Sequence, residues 1–235
     1  MTSTLLTPQV AHGSVKMTAM ARAPDTSTPL SREAFADAAL ALVDERGVDG
    51  LTVRALGARM GVHPTAFYRY FSDKRDLLEA ALARMLEQAD VTIPDHGTPR
   101  DCLLAIMRGL RRAFAAHPNM ALPNLTEQDE QATAGMVRVA FRSLEQMGLR
   151  GRDLMVCYQA LETFSVGTNA YDYANYPESH ERRQRGRRMV GHPVADEYSR
   201  DIGQIAEIND AAFEFGAAAR LDACEAMGRG ERTAP

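Results

Sequence analysis

The 235-residue chain has no tryptophan and only three cysteines, Cys102, Cys157 and Cys224. They are odd in number, far apart, and never arranged as C-x-x-C. This gives neither a disulfide framework nor a zinc signature, and it fits free thiols in a reducing compartment. No apolar run reaches the length of a membrane-spanning helix. The opening stretch MTSTLLTPQVAHGSVKMTAMARAPDTSTP lacks the compact apolar core of a secretory signal. A cytoplasmic protein with no membrane partner is the expectation.

Catalytic signatures are missing too. There is no G-x-G-x-x-G, P-loop, G-x-S-x-G or H-E-x-x-H. The six histidines (His12, His63, His96, His117, His180, His192) form no i,i+4 arrangement with a carboxylate partner that would suggest a metal site. No catalytic residue, metal ligand or cofactor is therefore expected. A helical enzyme stays open only as an alternative that needs turnover to be shown. Alternation of period two persists nowhere, which removes sheet architectures. Lysine is scarce as well: of 27 cations only Lys16 and Lys74 are lysine.

What is present is ordinary for a globular chain, with 45% hydrophobic and 25% charged residues. That length can bury one large domain or two small ones. Residues 1–30 are rich in Thr, Ser, Pro and Ala without periodicity, and read as a flexible tail. Order should begin at Ser31, a good N-cap, ahead of Phe35, Ala38, Ala39, Leu42 and Val43 at helical spacing. Thr52 opens a second, short helix, which Gly61 ends. His63 caps a third over 64–71, with Pro64 at its first position, where a missing N–H costs nothing. A fourth helix runs from Ser72 or Asp73 to about residue 92.

Later helices are expected over about 99–116, 126–147, 151–173, 195–208 and 209–228. The His117-Pro118 pair breaks the first of these, and residues 231–235 read as a flexible end. The fold class is all-α.

Two short helices across a turn containing Gly61 and Val62 describe a helix-turn-helix. Phe67 and Phe71, four apart, share one face and should pack on Leu56 and the first helix. Thr65, Tyr68 and Arg69 then lie on the opposite face, where they can meet phosphates and base edges in a major groove. Tyr70 reads either as core edge or as a phosphate contact. The N-terminal N–H groups at Thr52 and Arg54 could also meet a phosphate.

The chain is acidic overall, with a net charge of −4. Residues 51–75 nevertheless carry five cations (Arg54, Arg59, Arg69, Lys74, Arg75) against Asp73 alone. That segment is +4 and the remainder −8, so a basic binding face fits within an acidic protein.

The run LTVRALGARMGVHPTAFYRYFSDKRDLL, residues 51–78, resembles the DNA-binding signature of the tetracycline-repressor (TetR) family. The match rests on Leu51, Thr52, Gly61, Val62, Phe67, Tyr68, Phe71, Lys74 and Leu78. Two departures stand out: His63 replaces the usual Ser or Thr cap, and Tyr70 stands where the family often has His. The resemblance implies a three-helix DNA-binding domain over 31–78 and a helical ligand-binding and dimerisation domain over 79–230. It implies phosphate contacts from Thr52, Tyr68, Tyr70 and Lys74, and base-edge contacts from Arg54, Thr65, Pro64 and Arg69. His63 belongs to the same expected contact set.

The partners implied are a palindromic double-stranded DNA operator, a second copy of the chain joined through about 151–173 and 209–228, and a small, largely apolar effector. Small residues (Gly167, Ala170, Gly216, Ala217, Ala218, Ala219) would allow close helix approach in the dimer, or are simply core. Met107, Leu110, Phe114, Met136, Phe141, Tyr158, Phe164, Thr168 and Tyr171 are the candidate effector contacts, because such pockets combine adaptable Met and aromatics with a few hydroxyls. Each also reads as plain core. A DNA-binding module without an effector is the main alternative. The stretch SHERRQRGRR (179–188) reads as solvated surface or as a second anion contact.

Overall fold

The computed structural model describes residues 29–89, 94, 96–120, 130–170, 191–197 and 202–231. The N-terminal tail, Tyr171 and the Arg-rich stretch lie outside the described residues. Among the described residues every regular element is helical.

Helix α1 is Arg32–Arg46, capped by the Ser31 hydroxyl, which accepts from the Ala34 N–H at 3.2 Å. Helix α2 is Val53–Met60, capped by Thr52 through the Ala55 N–H at 3.1 Å. Helix α3 is Lys74–Gln88, and the Asp73 carboxylate accepts from both Arg75 and Asp76 N–H groups at 2.9 Å. Helix α4, Pro99–Ala116, begins with a capping box: Thr98 and Asp101 satisfy each other's backbone N–H groups. Then follow α5 (Glu130–Gln146), α6 (Gly151–Ala170), the short α7 (Pro193–Glu197) and α8 (Ile202–Gly228).

Two boundaries differ from the sequence expectation. The segment over 64–71 forms a 3-10 helix, Pro64–Arg69, rather than an α-helix. It is short, opens on proline, and tightens through bonds such as Ala66 N–H to His63 carbonyl at 2.9 Å. The separate helices expected at 195–208 and 209–228 are also corrected, because α8 runs unbroken through Asn209 and Asp210. Asn and Asp favour helix caps, but tertiary contact overrides that preference here: Arg111 of α4 bonds the Asp210 carboxylate at 2.8 Å.

Burial divides into two apolar clusters. The first joins α1, α2, the 3-10 helix and α3 through Phe35, Leu42, Leu56, Phe67, Phe71 and Leu77. It also takes in Ala113 and Phe114 from the last turns of α4, and Met120. The second joins α4, α5, α6 and α8 through Leu103, Met107, Leu144, Leu161, Phe213 and Leu221. Leu110 and Met136 touch both. Helix α4 thus contributes buried side chains to both cores, and α5 reaches both through Met136.

Candidate nucleic-acid interface

The corner between α2 and the 3-10 helix is built on two glycines. Gly61 ends α2 in the left-handed region, at φ 68° and ψ 27°, which costs a residue with a Cβ about 1 kcal/mol or more. Its N–H reaches the Ala58 carbonyl at 3.4 Å, and the Val62 N–H reaches that of Gly57 at 2.9 Å. Gly57 is buried mid-helix for a different reason. A Cβ there would stand 2.9 Å from the Val62 carbonyl oxygen and 3.4 Å from the Pro64 backbone. Sequence patterning assigned Gly57 no role, since a mid-helix glycine carries no signal of what packs on it.

The histidine that departs from the usual Ser or Thr cap still serves as one. His63 Nδ1 accepts from the Thr65 N–H at 3.3 Å and lies 2.8 Å from the Thr65 hydroxyl. The 3-10 helix then splits into two faces. Phe67 and Phe71 are each 2% exposed and stack at 5.5 Å, with Phe35 edge-on to both. Tyr68 projects outward, 65% exposed, beside exposed Thr65 and Arg69. Thr52 and Arg54 are exposed at the start of α2. The Thr52 oxygen accepts its capping bond, so its hydroxyl proton remains available.

The cations are not equivalent. Arg59 pairs with Glu45 at 2.7 Å and Arg75 with Glu79 at 3.6 Å. Lys74 donates to the Val48 carbonyl at 2.8 Å but stays exposed with further N–H donors. Arg54 and Arg69 hold no ion pair among the described residues. Of the two readings of Tyr70, core edge and phosphate contact, the packing favours the first. Its ring lies 5.1 Å from that of Phe35, and its single hydroxyl proton is given to the Leu30 carbonyl at 3.0 Å. A phosphate only accepts, so Tyr70 has nothing left to donate and sits at the core edge. Pro64 is half-buried against the Gly57 corner.

The family profile described as "Bacterial regulatory proteins, tetR family" matches residues 35–81, from α1 through the first half of α3. The class C tetracycline repressor protein of Escherichia coli is 32% identical over 171 residues, 65% of this chain and 71% of that one.

The chain belongs to the TetR family of DNA-binding transcriptional regulators.

The class D tetracycline repressor, also from Escherichia coli, is 29% identical over 140 residues, and the match spans 59% of this chain but only 64% of that protein. A TetR variant of Acinetobacter baumannii, solved in complex with minocycline, superposes with a TM-score of 0.64 at 25% identity, covering 85% of this chain and 99% of that one.

In this TetR protein the DNA-binding part is fastened by contacts that sequence patterning missed. Arg32, the first residue of α1, donates to the Tyr70 carbonyl at 2.7 Å, pairs with Asp76 of α3, and lies 4.3 Å over the Phe71 ring. One guanidinium therefore ties α1 to the end of the 3-10 helix and the start of α3. Farther along the same pair of helices, Arg84 of α3 pairs with Asp37 of α1 at 2.8 Å. At the other end of α1, Asp44 receives His117 Nδ1 at 2.9 Å through its carboxylate and Asn119 Nδ2 at 2.9 Å through its carbonyl. None of these pairs could be read from spacing, because their partners are 38 to 75 residues apart.

The expected effector residues separate by location. Phe114 is corrected: its side chain belongs to the DNA-binding core, 5% exposed, because α4 ends inside that core. Met107 is buried in the second cluster, and Leu110 and Met136 lie between the two. Phe141 and Tyr158 rings meet at 4.7 Å, and the Tyr158 hydroxyl donates to Glu162 at 3.0 Å. Burial and that carboxylate push the Tyr158 hydroxyl up to about 12. Phe164 stacks on Phe213 at 5.7 Å under the Arg220 guanidinium, while Thr168 donates to the Ser165 carbonyl at 3.1 Å. Gly216 and Ala217 serve the intramolecular core: a Cβ on Gly216 would stand 2.6 Å from the Phe164 ring, and Ala217 is fully buried. Ala219 is exposed.

Proposed function

We propose that this protein is a dimeric repressor whose release from a palindromic operator is controlled by a small, largely apolar effector. The reading rests chiefly on one observation: Thr65, Tyr68 and Arg69 form an exposed donor face on an element whose opposite face, Phe67 and Phe71, is locked in a core. A fixed outward face of donors is what reading a groove requires. In this proposal residues 31–78 bind DNA and residues 79–230 regulate. Arg54, Thr65 and Arg69, with Pro64 beside them, meet base edges. Thr52, His63, Tyr68 and Lys74 position the backbone.

Dimerisation is supported by an apolar stripe on α8. Ile208, Ala211, Ala212, Phe215 and Ala219 recur at helical spacing and are all exposed, with Phe215 at 79%. Met155 of α6 is 49% exposed. A stripe of this size on a water-facing helix needs a covering surface, and a second copy would supply it through α6 and α8. Two recognition elements then span successive major grooves about 34 Å apart.

An effector is favoured because a related TetR protein is solved with minocycline. Candidate contacts are Met107, Leu110, Met136, Phe141, Tyr158, Phe164 and Thr168. The effector acts through its different affinity for two dimer geometries. Helices α3 and α4 carry the change, since both pack on α5 and on the DNA-binding core.

The test is selection of bound sites from a random DNA pool by the purified protein, followed by a small-molecule release screen. Enrichment of a two-fold site supports the proposal, and enrichment of none defeats it. Tyr68→Ala should weaken binding across sequences, whereas Arg54→Ala should relax preference at one position of each half-site.

A further inference from the structure

Besides capping the 3-10 helix, His63 fixes what Thr65 can offer to a partner. A residue before proline is confined to extended backbone, and His63 has φ −66° and ψ 138° ahead of Pro64. Its carbonyl accepts from the Ala66 N–H at 2.9 Å, so the main chain on both sides of Pro64 is tied. His63 Nδ1 then meets two groups of one residue, the Thr65 N–H at 3.3 Å and the Thr65 hydroxyl at 2.8 Å. Both residues are exposed.

An amide N–H can only donate, so the cap requires a lone pair on Nδ1. A neutral imidazole then carries its proton on Nε2. Facing that lone pair, the Thr65 hydroxyl bonds only by giving its own proton. The opposite tautomer would set Nδ1–H against the Thr65 N–H and leave the cap unmade. In the capped arrangement Thr65 therefore offers a partner only oxygen lone pairs, and the ring keeps Nε2–H as a donor. The division suits the two kinds of group on DNA. A phosphate only accepts, which suits the ring donor. In the major groove adenine and cytosine carry exocyclic amino donors, whereas guanine and thymine carry keto acceptors.

We propose that His63 is a positioning residue that makes Thr65 an obligate hydrogen-bond acceptor, so that Thr65 reads an amino base, adenine or cytosine, at one position of each half-site and rejects a keto base there. The inference rests on the DNA-binding reading above and refines it: within that exposed face Thr65 acts through its oxygen, not its proton. A keto oxygen opposite it would set two acceptors against each other. The other use of a threonine, methyl contact with thymine, selects a keto base and so gives the opposite result.

The experiment uses the full-length protein and the site it selects from random DNA. Comparison with Thr65→Val, which keeps the shape and loses the hydroxyl, marks the position that Thr65 reads. Wild type should favour adenine or cytosine there over guanine or thymine by about fivefold or more, the cost of a mismatched pair. Thr65→Val should lose that discrimination. His63→Ala should lose it too, because the freed hydroxyl proton can then be given to a keto oxygen. Tyr68→Ala should weaken all four bases alike and keep the ratio. A second measurement needs no variant to fold. Purine in place of adenine, or 2-pyrimidinone in place of cytosine, deletes the amino group and should cost the wild-type protein about fivefold or more. The proposal is overturned by a keto base favoured at that position, by Thr65→Val changing no position, by discrimination retained in His63→Ala, or by an amino-deleted base bound as tightly as its parent. Enrichment of no two-fold site at all would instead defeat the DNA-binding reading, and this inference with it.

Discussion

Substituting Gly57 tests whether the helix-turn-helix corner is set by backbone contact. Glycine inside a helix is about 1 kcal/mol less favourable than alanine, so Gly57→Ala in α2 should stabilise if propensity alone acts. The corner opposes it: the new Cβ would stand 2.9 Å from the Val62 carbonyl oxygen, a backbone atom that can shift only at a cost in energy. Overpacking of this kind costs about 1–3 kcal/mol. Gly135 supplies the control, because it lies inside α5 with nothing within 4 Å of an added Cβ.

Gly135→Ala should therefore stabilise by about 1 kcal/mol. Gly57→Ala should fall below it by about 1–3 kcal/mol, which subtracts the propensity that both share. Urea unfolding of the two variants reads the difference, and a fluorescence titration with operator DNA reads its consequence. The Val62–Pro64 backbone must move to relieve the overlap, and it carries the recognition element, so DNA affinity should fall in Gly57→Ala alone. Equal stabilisation of both variants, with DNA affinity intact, would refute the argument.

Other expectations follow from particular contacts. Phe215→Arg places a charge on an exposed α8 position, so sedimentation should show monomer with unchanged helicity, and operator affinity should drop by about a hundredfold or more as avidity is lost. Phe114→Ala should cost about 3–5 kcal/mol, and, because Phe114 lies in the DNA-binding core, local hydrogen exchange in α1 and α3 should rise with it. Arg32 bonding, with the Ser72 N–H, holds the Asp76 carboxyl below the usual carboxylate range against the opposing effect of burial. A lowered folded value means that this stabilisation is complete above about pH 4 and disappears as pH falls through the folded value. The stability gap between wild type and Asp76→Asn in urea should then shrink from pH 6 to pH 3; a gap that stays constant removes the linkage.

Local chemistry was enough to establish the all-helical class, the caps at Ser31, Thr52 and His63, and the division of the recognition segment into buried and exposed faces. Those features depend on residues a few positions apart, so periodicity and capping preferences reveal them. The same short-range logic put Tyr68, Thr65 and Arg69 outward, because Phe67 and Phe71 leave a short helix no other arrangement.

What lies across the chain from each residue was settled by packing alone. Of the two readings left open for Tyr70, packing favours the core edge, where its hydroxyl donates to the Leu30 carbonyl forty positions away. Gly57 matters through the Val62 carbonyl packed against it, and Phe114 crosses from the regulatory side into the DNA-binding core. Helix α4 is bound to α8 by Arg100, Arg108 and Arg111 facing Asp222, Glu214 and Asp210, a ladder about a hundred residues apart in sequence that no local pattern records. Local propensity fixes which face a helix buries; only packing fixes which partner that face meets.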